Sequence, residues 1–272
     1  MKIEVSNFSL DEIADSGQCF RWEGAGGKYL IPAFGREIRV SQFGSILTAD
    51  CTEAEWESVW ADYFDLRCDY GAYIASVDAS DEYLSAAVRA GTGMRILRQE
   101  LWEVLVSFIV SQNNNIPRIK STLRKLCDMF GGFPSPQQLA EADVGALHQI
   151  GLGYRDAYLP AAARRFIADG LCGGISKRTY EEDRKYLMSY LGIGPKVADC
   201  VCLFGLYHKE AFPIDTWVKK ILREHYSGAF PIERYPESAG VMQQYMFFYE
   251  RTIAKTSDKP SSVKTRSAAE PA

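Results

Sequence analysis

The sequence lacks the features that would direct a protein to a membrane or out of the cell. No apolar run approaches the roughly 18 residues that span a bilayer. The N-terminus, MKIEVSNFSLDEI, has no apolar stretch before a small-residue cleavage site, so it does not read as a signal peptide. We expect a protein without a membrane partner that stays in the cytoplasm, with the nucleoid in a bacterium or in the nucleus of a eukaryote.

Closely spaced cysteines are also missing. The seven cysteines contain no C-x-x-C pair and no close group of four. This spacing argues against a disulfide framework, a structural zinc site and an iron–sulfur cluster. We therefore expect reduced thiols and no metal site built from them. Separately, we expect no cofactor.

Nor is there an excess of positive charge. The chain has 31 basic and 35 acidic residues, a net charge of −4, whereas many nucleic-acid-binding proteins are basic. Basic residues do cluster at 118–125 and 219–223, away from the acidic residues of 53–65. The clusters are compatible with a local nucleic-acid-binding face and equally with ordinary solvated helix faces.

What is present predicts an α+β fold in which a small sheet packs on a larger helical domain. Segments such as YLIPAFGREIRVSQFGSILTA alternate apolar and polar residues and break at glycines, which favours a short antiparallel sheet. A helix over 52–66 with a Thr52–Glu55 capping box should follow. We place an N-terminal β domain at 1–78, a helical domain at 79–252 and a disordered tail at 253–272, which has almost no apolar bulk.

Within the helical domain, LGIGPKVADCVCLFG (191–205) predicts a tight hairpin, spanning about 188–205, that leads into a helix. Gly192 and Gly194 let the chain turn sharply, and Pro195 suits the first helical position. A helix start with free N–H groups binds phosphate. Lys196 lies in the first turn, where the helix dipole disfavours its ammonium form. The hairpin alone leaves two roles for Lys196, a phosphate contact or a nucleophilic amine.

A second helix start follows nineteen residues later, in AFPIDTWVKK (211–220). Pro213 sets an extended approach, and Asp215 falls at the N-cap of the next helix. Taken alone, Asp215 is a plain cap. Paired with a first-turn lysine behind a glycine hairpin, it is also a candidate anion for catalysis.

These segments resemble the helix–hairpin–helix, Gly/Pro…Asp pattern of base-excision DNA glycosylases, the HhH-GPD superfamily. Within it, the chain resembles the 8-oxoguanine DNA glycosylases over most of residues 10–250. The motifs that carry the resemblance are SGQCFRW (16–22), LRQELWEVLVSFIVSQNNNIPRI (97–119), GLGYR (151–155), GIGPKVADCVCL (192–203) and PIDTWV (213–218).

The resemblance implies a bifunctional DNA glycosylase/AP lyase that flips 8-oxoguanine out of duplex DNA. Lys196 would attack the sugar C1′ and form a Schiff base, and β-elimination would then cut the strand. Asp215 would stabilise the positive charge that develops on the sugar. Covalent catalysis by an amine beside a fixed anion suits an oxocarbenium-like transition state.

The resemblance also implies how the base is recognised. The Gly17 carbonyl would accept from the N7–H that oxidation adds to guanine, and Gln243 would read the Watson–Crick edge. Phe247 and Cys200 would contact the two faces of the base. For Cys200 and Phe247 the alternative is core packing.

On the remaining DNA strand, Asn113 would fill the gap left by the flipped base. Arg118 and Arg155 would read the opposite cytosine, and Tyr154 would wedge beside it. The alternative for the asparagine run of 113–115 is an ordinary polar loop. Gly192 and Gly194 would bring the hairpin backbone onto the DNA, and we expect a monomer bound to double-stranded DNA that contains 8-oxoguanine.

Two other functions remain open at this point. The chain could be an HhH glycosylase for another damaged base, although Lys196 argues against monofunctional types. It could also be a non-catalytic HhH module, which would need the glycines but not the pair Lys196 and Asp215. One residue departs from the family pattern: Trp217 stands where many relatives carry a polar phosphate contact.

Overall fold

The computed structural model describes residues 1–171 and 178–257, and its architecture is the expected α+β. The five strands of its sheet are β1 (Lys2–Glu4), β2 (Glu23–Ala25), β3 (Lys28–Ala33), β4 (Arg36–Phe43) and β5 (Ile46–Ala49). They are antiparallel in the order β1-β5-β4-β3-β2. Along β3, Tyr29, Ile31 and Ala33 are buried in alternation with more exposed residues, so the period of two predicted one packed face correctly.

The helix predicted over 52–66 forms continuously over 53–63 and has three parts. These are α2 (Glu53–Glu55), a π-helical turn (Trp56–Trp60) and α3 (Ala61–Tyr63). Thr52 caps the start by accepting from the Glu55 N–H at 3.2 Å. In a capping box the Glu55 carboxylate would accept from the Thr52 N–H. Here it accepts from the Trp60 indole N–H at 3.1 Å instead. Both Trp56 and Trp60 are thereby buried under the sheet.

The other regular elements of the described residues are helices and short helical turns. The helices are α1 (Leu10–Asp15), α4 (Tyr70–Ala75), α5 (Glu82–Ala90), α6 (Leu101–Ser111), α7 (Ile116–Phe130), α8 (Pro136–Ala140), α9 (Val144–Leu147), α10 (Tyr158–Ala168), α11 (Tyr180–Leu187), α12 (Pro195–Gly205), α13 (Thr216–His225) and α14 (Ala239–Ser257). As expected for a run of apolar residues, α6 is nearly all buried and lies at the centre of the helical core. None of the described helices combines the length and apolarity needed to cross a membrane.

The two near-repeats, 150–157 and 191–198, fold as unequal turns that meet in space. The first passes through a π turn (His148–Leu152) and a 3-10 turn (Gly153–Asp156) before α10. The second is a tight hairpin in which Gly192 has φ +79°, and a Cβ there would lie 2.4 Å from the Tyr158 ring. Glycine is therefore required for the hairpin to pack against α10.

The protein has two hydrophobic cores, and each contains residues from both predicted domains. Phe20 and Tyr70 of the predicted N-terminal domain belong to the helical core, and Leu97 belongs to the core beneath the sheet. The boundary at 78 remains a prediction. At the other end, α14 runs to Ser257 and so includes 253–257 of the predicted tail. The remainder of that tail, 258–272, lies outside the described residues.

Candidate active site and nucleic-acid interface

Lys196 is held at the start of α12 by the glycine hairpin. Gly194 is the N-cap in an extended conformation, and Pro195 is the first helical residue. The side chain is half-buried, with its Nζ 5.3 Å from the centre of the Phe108 ring of α6. An apolar ring beneath the amine keeps it from full solvation.

Asp215 is the N-cap of α13, as its pattern predicted. Its Oδ1 accepts from the Val218 N–H at 2.8 Å, which fixes the carboxylate against the helix start. Lys196 and Asp215 line the same cavity, of about 40 Å³. The other lining residues are Gly17, Phe108, Cys200, Phe204, Pro213, Gln243, Gln244 and Phe247. The structure therefore brings together all six residues that the resemblance assigned to catalysis and base recognition.

Gly17 forms one wall of this cavity and has φ +78°. A Cβ at this position would lie 3.3 Å from both the Ile116 Cδ1 and the Phe247 Cε1. Glycine thus allows the backbone of 17 to approach the ring of Phe247 closely. A main-chain acceptor beside an aromatic face is suited to holding a planar base.

Cys200 lies one helical turn after Lys196 and is 3% exposed. Burial raises the pKa of its thiol to about 11, opposed by the positive charge of Lys196 and reinforced by the carboxylate of Asp215. Cys200 is therefore a neutral thiol at physiological pH. Its place in the cavity fits a van der Waals contact to a base, whereas a role as nucleophile would require the thiolate.

A larger vestibule of about 310 Å³ adjoins the cavity and shares Gly17, Phe108, Lys196, Asp215 and Phe247 with it. Its outer walls come from residues 114–117 on one side and from Thr216 and Trp217 on the other. Arg251 completes the rim, donating to the Asp15 carbonyl at 2.6 Å with its guanidinium 5.2 Å from the centre of the Phe247 ring. The size suits an extrahelical nucleotide, since ligand sites typically measure about 300–1,000 Å³.

The asparagine run forms a turn at the edge of the vestibule. Asn113 is exposed with φ +45°, Asn114 donates to the Val110 carbonyl at 3.1 Å, and Asn115 caps α7 by accepting from the Arg118 N–H at 3.0 Å. Asn113 and the exposed side chain of Arg118 thus flank the same helix start. This arrangement presents both to solvent beside the vestibule.

Tyr154 and Arg155 lie near this turn in different environments. Tyr154 is 51% exposed, and the Arg155 guanidinium is 4.6 Å from the centre of its ring. Arg155 itself is 5% exposed and donates to the carbonyls of Gln112, Asn113 and Leu152. Its guanidinium therefore supports the loop, a relation that no local sequence pattern predicted.

Sequence reasoning also missed several residues of the site. The sequence predicts Phe108 only as a core residue, because α6 is apolar throughout. Its place beneath the Lys196 amine shows that it also lines the cavity. Arg251 follows Phe247 by four residues, a spacing that places both on one helix face. Gln244 lies beside Gln243 in the cavity. Among the described residues, no cluster of three His, Cys, Asp or Glu side chains could hold a metal ion.

Two family models together match residues 1–231. The one described as 8-oxoguanine DNA glycosylase, N-terminal domain, matches residues 1–105. The one described as HhH-GPD superfamily base excision DNA repair protein matches residues 106–231. Their junction lies inside α6.

Several relatives are similar over most of this chain. An N-glycosylase/DNA lyase of Saccharomyces cerevisiae is 31% identical over 265 residues, which cover 83% of this chain and 70% of that protein. A probable N-glycosylase/DNA lyase of Methanothermobacter thermautotrophicus is 25% identical, over 92% of this chain and 96% of that protein. Among solved structures, an 8-oxoguanine glycosylase/lyase of Clostridium acetobutylicum in complex with double-stranded DNA containing cytosine opposite 8-oxoG has a TM-score of 0.85 at 33% identity. This match covers 93% of this chain and 98% of that chain.

Proposed function

Because the chain belongs to the 8-oxoguanine DNA glycosylase family of the HhH-GPD superfamily, we propose that it is a bifunctional DNA glycosylase/AP lyase that excises 8-oxoguanine opposite cytosine. The observation that carries this proposal is a shared cavity. Lys196 and Asp215 line it together with Gly17, Gln243 and Phe247. An amine, a carboxylate and the groups needed to hold a purine therefore face one space.

The covalent step uses the free amine of Lys196. Its lone pair forms a bond to C1′ of the flipped nucleotide as the bond from C1′ to the base nitrogen N9 breaks, and the base leaves with that electron pair. The Asp215 carboxylate stabilises the positive charge that develops on the sugar. Loss of a proton from the lysine nitrogen and opening of the sugar ring then give a Schiff base. Removal of a C2′ proton expels the 3′-phosphate by β-elimination.

Recognition requires the base to leave the helix stack. The Gly17 carbonyl accepts from N7–H of 8-oxoguanine, a position where normal guanine has a bare acceptor. Gln243 reads the Watson–Crick edge, and Phe247 and Cys200 contact the two faces. The base enters the inner cavity from the vestibule. Because the inner cavity measures only about 40 Å³, its walls move apart to admit the base.

On the duplex side, Asn113 fills the vacated position and Tyr154 wedges beside it. Arg118 and Arg155 read the opposite cytosine, whose N3 and O2 are acceptors. Four hydrogen bonds tie the guanidinium of Arg155 to the loop carbonyls, so one of its five N–H groups is left for the cytosine. Arg118, which is exposed, supplies most of the discrimination.

The hairpin between α11 and α12 grips the DNA backbone. Gly192 and Gly194 let its main chain approach closely, and the N–H groups at the start of α12 bind a phosphate. We propose that the protein acts as a monomer, since every residue of the cavity comes from one chain. Its substrate requires it to work where chromosomal DNA lies, in a nucleoid or a nucleus.

The test is single-turnover excision from duplexes that carry 8-oxoguanine, normal guanine, an alkylated purine or an oxidised pyrimidine, each opposite cytosine. We expect rapid excision of 8-oxoguanine followed by strand cleavage, and no excision of normal guanine. Equal excision of the alkylated purine or the pyrimidine would assign the chain to another HhH substrate. Binding without excision of any base would indicate a non-catalytic module.

A further inference from the structure

A second glutamine lies beside Gln243 in the base cavity. Gln244 follows Gln243 on α14. Gln244 is 5% exposed and Gln243 is 2% exposed. The Gln244 Nε2 donates to the Gln243 Oε1 at 2.9 Å. Both residues line the cavity that contains Lys196 and Asp215. Two adjacent buried amides are therefore joined in one polar group at the site.

The acceptor of this second amide has no partner. The Gln244 Oε1 is buried, and within residues 1–171 and 178–257 no group donates a hydrogen bond to it. Native proteins rarely leave a buried polar atom unpaired, because its desolvation is then uncompensated. Because Gln244 lines the base cavity, a donor on a bound ligand is a candidate partner for this acceptor.

We infer that the Gln244 Oε1 accepts from the exocyclic 2-amino group of the flipped guanine, an inference that rests on the proposed function. The Watson–Crick edge of guanine presents O6, N1–H and the 2-amino group in a row, which is an acceptor followed by two donors. The Gln243 Oε1 already accepts from Gln244, so it has one lone pair left for a single donor of this edge. Gln243 meets O6 and N1–H, so the third position falls to its neighbour.

The hydrogen bond between the amides sets their orientation. Because Gln244 donates to the Gln243 Oε1, the Gln243 Nε2 is directed away from Gln244 and is free to donate to O6. The Gln243 Oε1 has two lone pairs and accepts from N1–H as well as from Gln244. The pair then presents a donor and two acceptors in order, the complement of the guanine edge.

This complement also rejects adenine-type bases. An 8-oxoadenine carries a donor at position 6, an acceptor at N1 and no amino group at position 2. Both polar atoms of the Gln243 amide would then face groups of their own polarity, and the Gln244 Oε1 would stay unpaired. A site built to hydrogen-bond a substrate N–H discriminates strongly against an analogue that lacks it.

The experiment compares 8-oxoguanine with 8-oxohypoxanthine, which lacks only the 2-amino group, in otherwise identical duplexes opposite cytosine. The readout is the single-turnover excision rate divided by the dissociation constant for each duplex. Wild-type protein should prefer 8-oxoguanine by about 10- to 100-fold. Gln244→Met, which matches the shape without polar atoms, should lose most of its activity on 8-oxoguanine and little on 8-oxohypoxanthine.

Two variants control the comparison. Gln244→Glu retains acceptor oxygens and should keep the preference for 8-oxoguanine over 8-oxohypoxanthine. This variant tests the role of the acceptor if Gln244→Met fails to fold. Gln137→Met changes an exposed glutamine on α8, outside the cavity, and should leave the preference at the wild-type value.

Distinct outcomes overturn the two proposals. Equal loss on both bases in Gln244→Met, or no wild-type preference between them, would overturn the role of Gln244 while leaving 8-oxoguanine excision intact. Failure of the wild-type protein to excise 8-oxoguanine at all would overturn the proposed function and this inference with it.

Discussion

Arg155 and Asn113 lie 42 residues apart in sequence and are joined by a hydrogen bond of 3.3 Å from the Arg155 Nη2 to the Asn113 carbonyl. The same guanidinium binds the carbonyl of Gln112, at 3.0 Å from its Nε. These two carbonyls belong to the turn that presents Asn113 to solvent. The residue proposed to fill the gap in the duplex is therefore supported from beneath by a buried arginine.

Removing this support should destabilise the protein. In Arg155→Met the carbonyls of 112, 113 and 152 lose their buried donor, and we expect the free energy of unfolding to fall by about 2–3 kcal/mol. Urea unfolding measures the loss, and hydrogen exchange at 112–115 should become faster. Arg89→Met is the matched control, because that arginine is exposed in the last turn of α5. Equal stability of the two variants would contradict the supporting role.

Arg118 should carry most of the preference for cytosine as the opposite base. Its side chain is exposed in the first turn of α7, beside Asn113. We expect Arg118→Ala to reduce the excision ratio for cytosine over adenine as the opposite base by about 10-fold, since a good base contact contributes about 1–3 kcal/mol of discrimination. Arg124→Ala removes the same charge farther along α7 and should leave the ratio unchanged. A similar drop in both variants would point to a general charge effect.

Gly17→Ala should damage the site more than it damages the fold. The φ of +78° costs alanine about 1–2 kcal/mol, and its Cβ would press on Phe247 at 3.3 Å. Gly35→Ala has the same kind of strain at φ +68°, with no neighbour within 4 Å. Thermal unfolding should therefore change similarly in both variants. Excision should fall about 10-fold further in Gly17→Ala, because displacing a substrate-positioning group slows the reaction. Equal excision rates would contradict the close-approach argument.

The buried thiol of Cys200 should make the fold sensitive to alkali. Burial raises its pKa from 9.0 to about 11, so between these values the unfolded chain releases a proton that the folded protein keeps. The contribution of this thiol to the free energy of unfolding is fully present below pH 9 and is lost as the pH rises through 11. By about pH 10.5, wild type should lose about 2 kcal/mol more than Cys200→Ser, relative to neutral pH. Urea unfolding at the two pH values measures this difference, and identical losses would contradict the burial argument.

Local chemistry made part of the site predictable from sequence. The pattern around Asp215 predicted a helix cap, and the 2.8 Å bond to the Val218 N–H has that geometry because capping depends on residues three apart. Gly192 and Gly194 likewise predicted the hairpin. The approach of Gly192 to Tyr158 was not predictable, since it depends on packing between helices distant in sequence.

Other features depended on contacts that no local pattern encodes. The motif containing Arg155 predicted its proximity to DNA but not its burial against the carbonyls of 112 and 113. The π turn at Trp56–Trp60 likewise has no local signal, because residues four apart share one face of a regular helix as well. Gln244 looked like any polar residue beside Gln243 until the cavity showed that both amides face the same space.

Borohydride trapping tests the central claim most directly. A Schiff base between the protein and DNA containing 8-oxoguanine should be reduced to a stable covalent adduct, visible as a shifted band. We predict an adduct with wild-type protein and with Lys185→Gln, an exposed lysine on α11, and none with Lys196→Gln. An adduct that persists in Lys196→Gln, or its absence in wild-type protein that excises the base, would contradict the account.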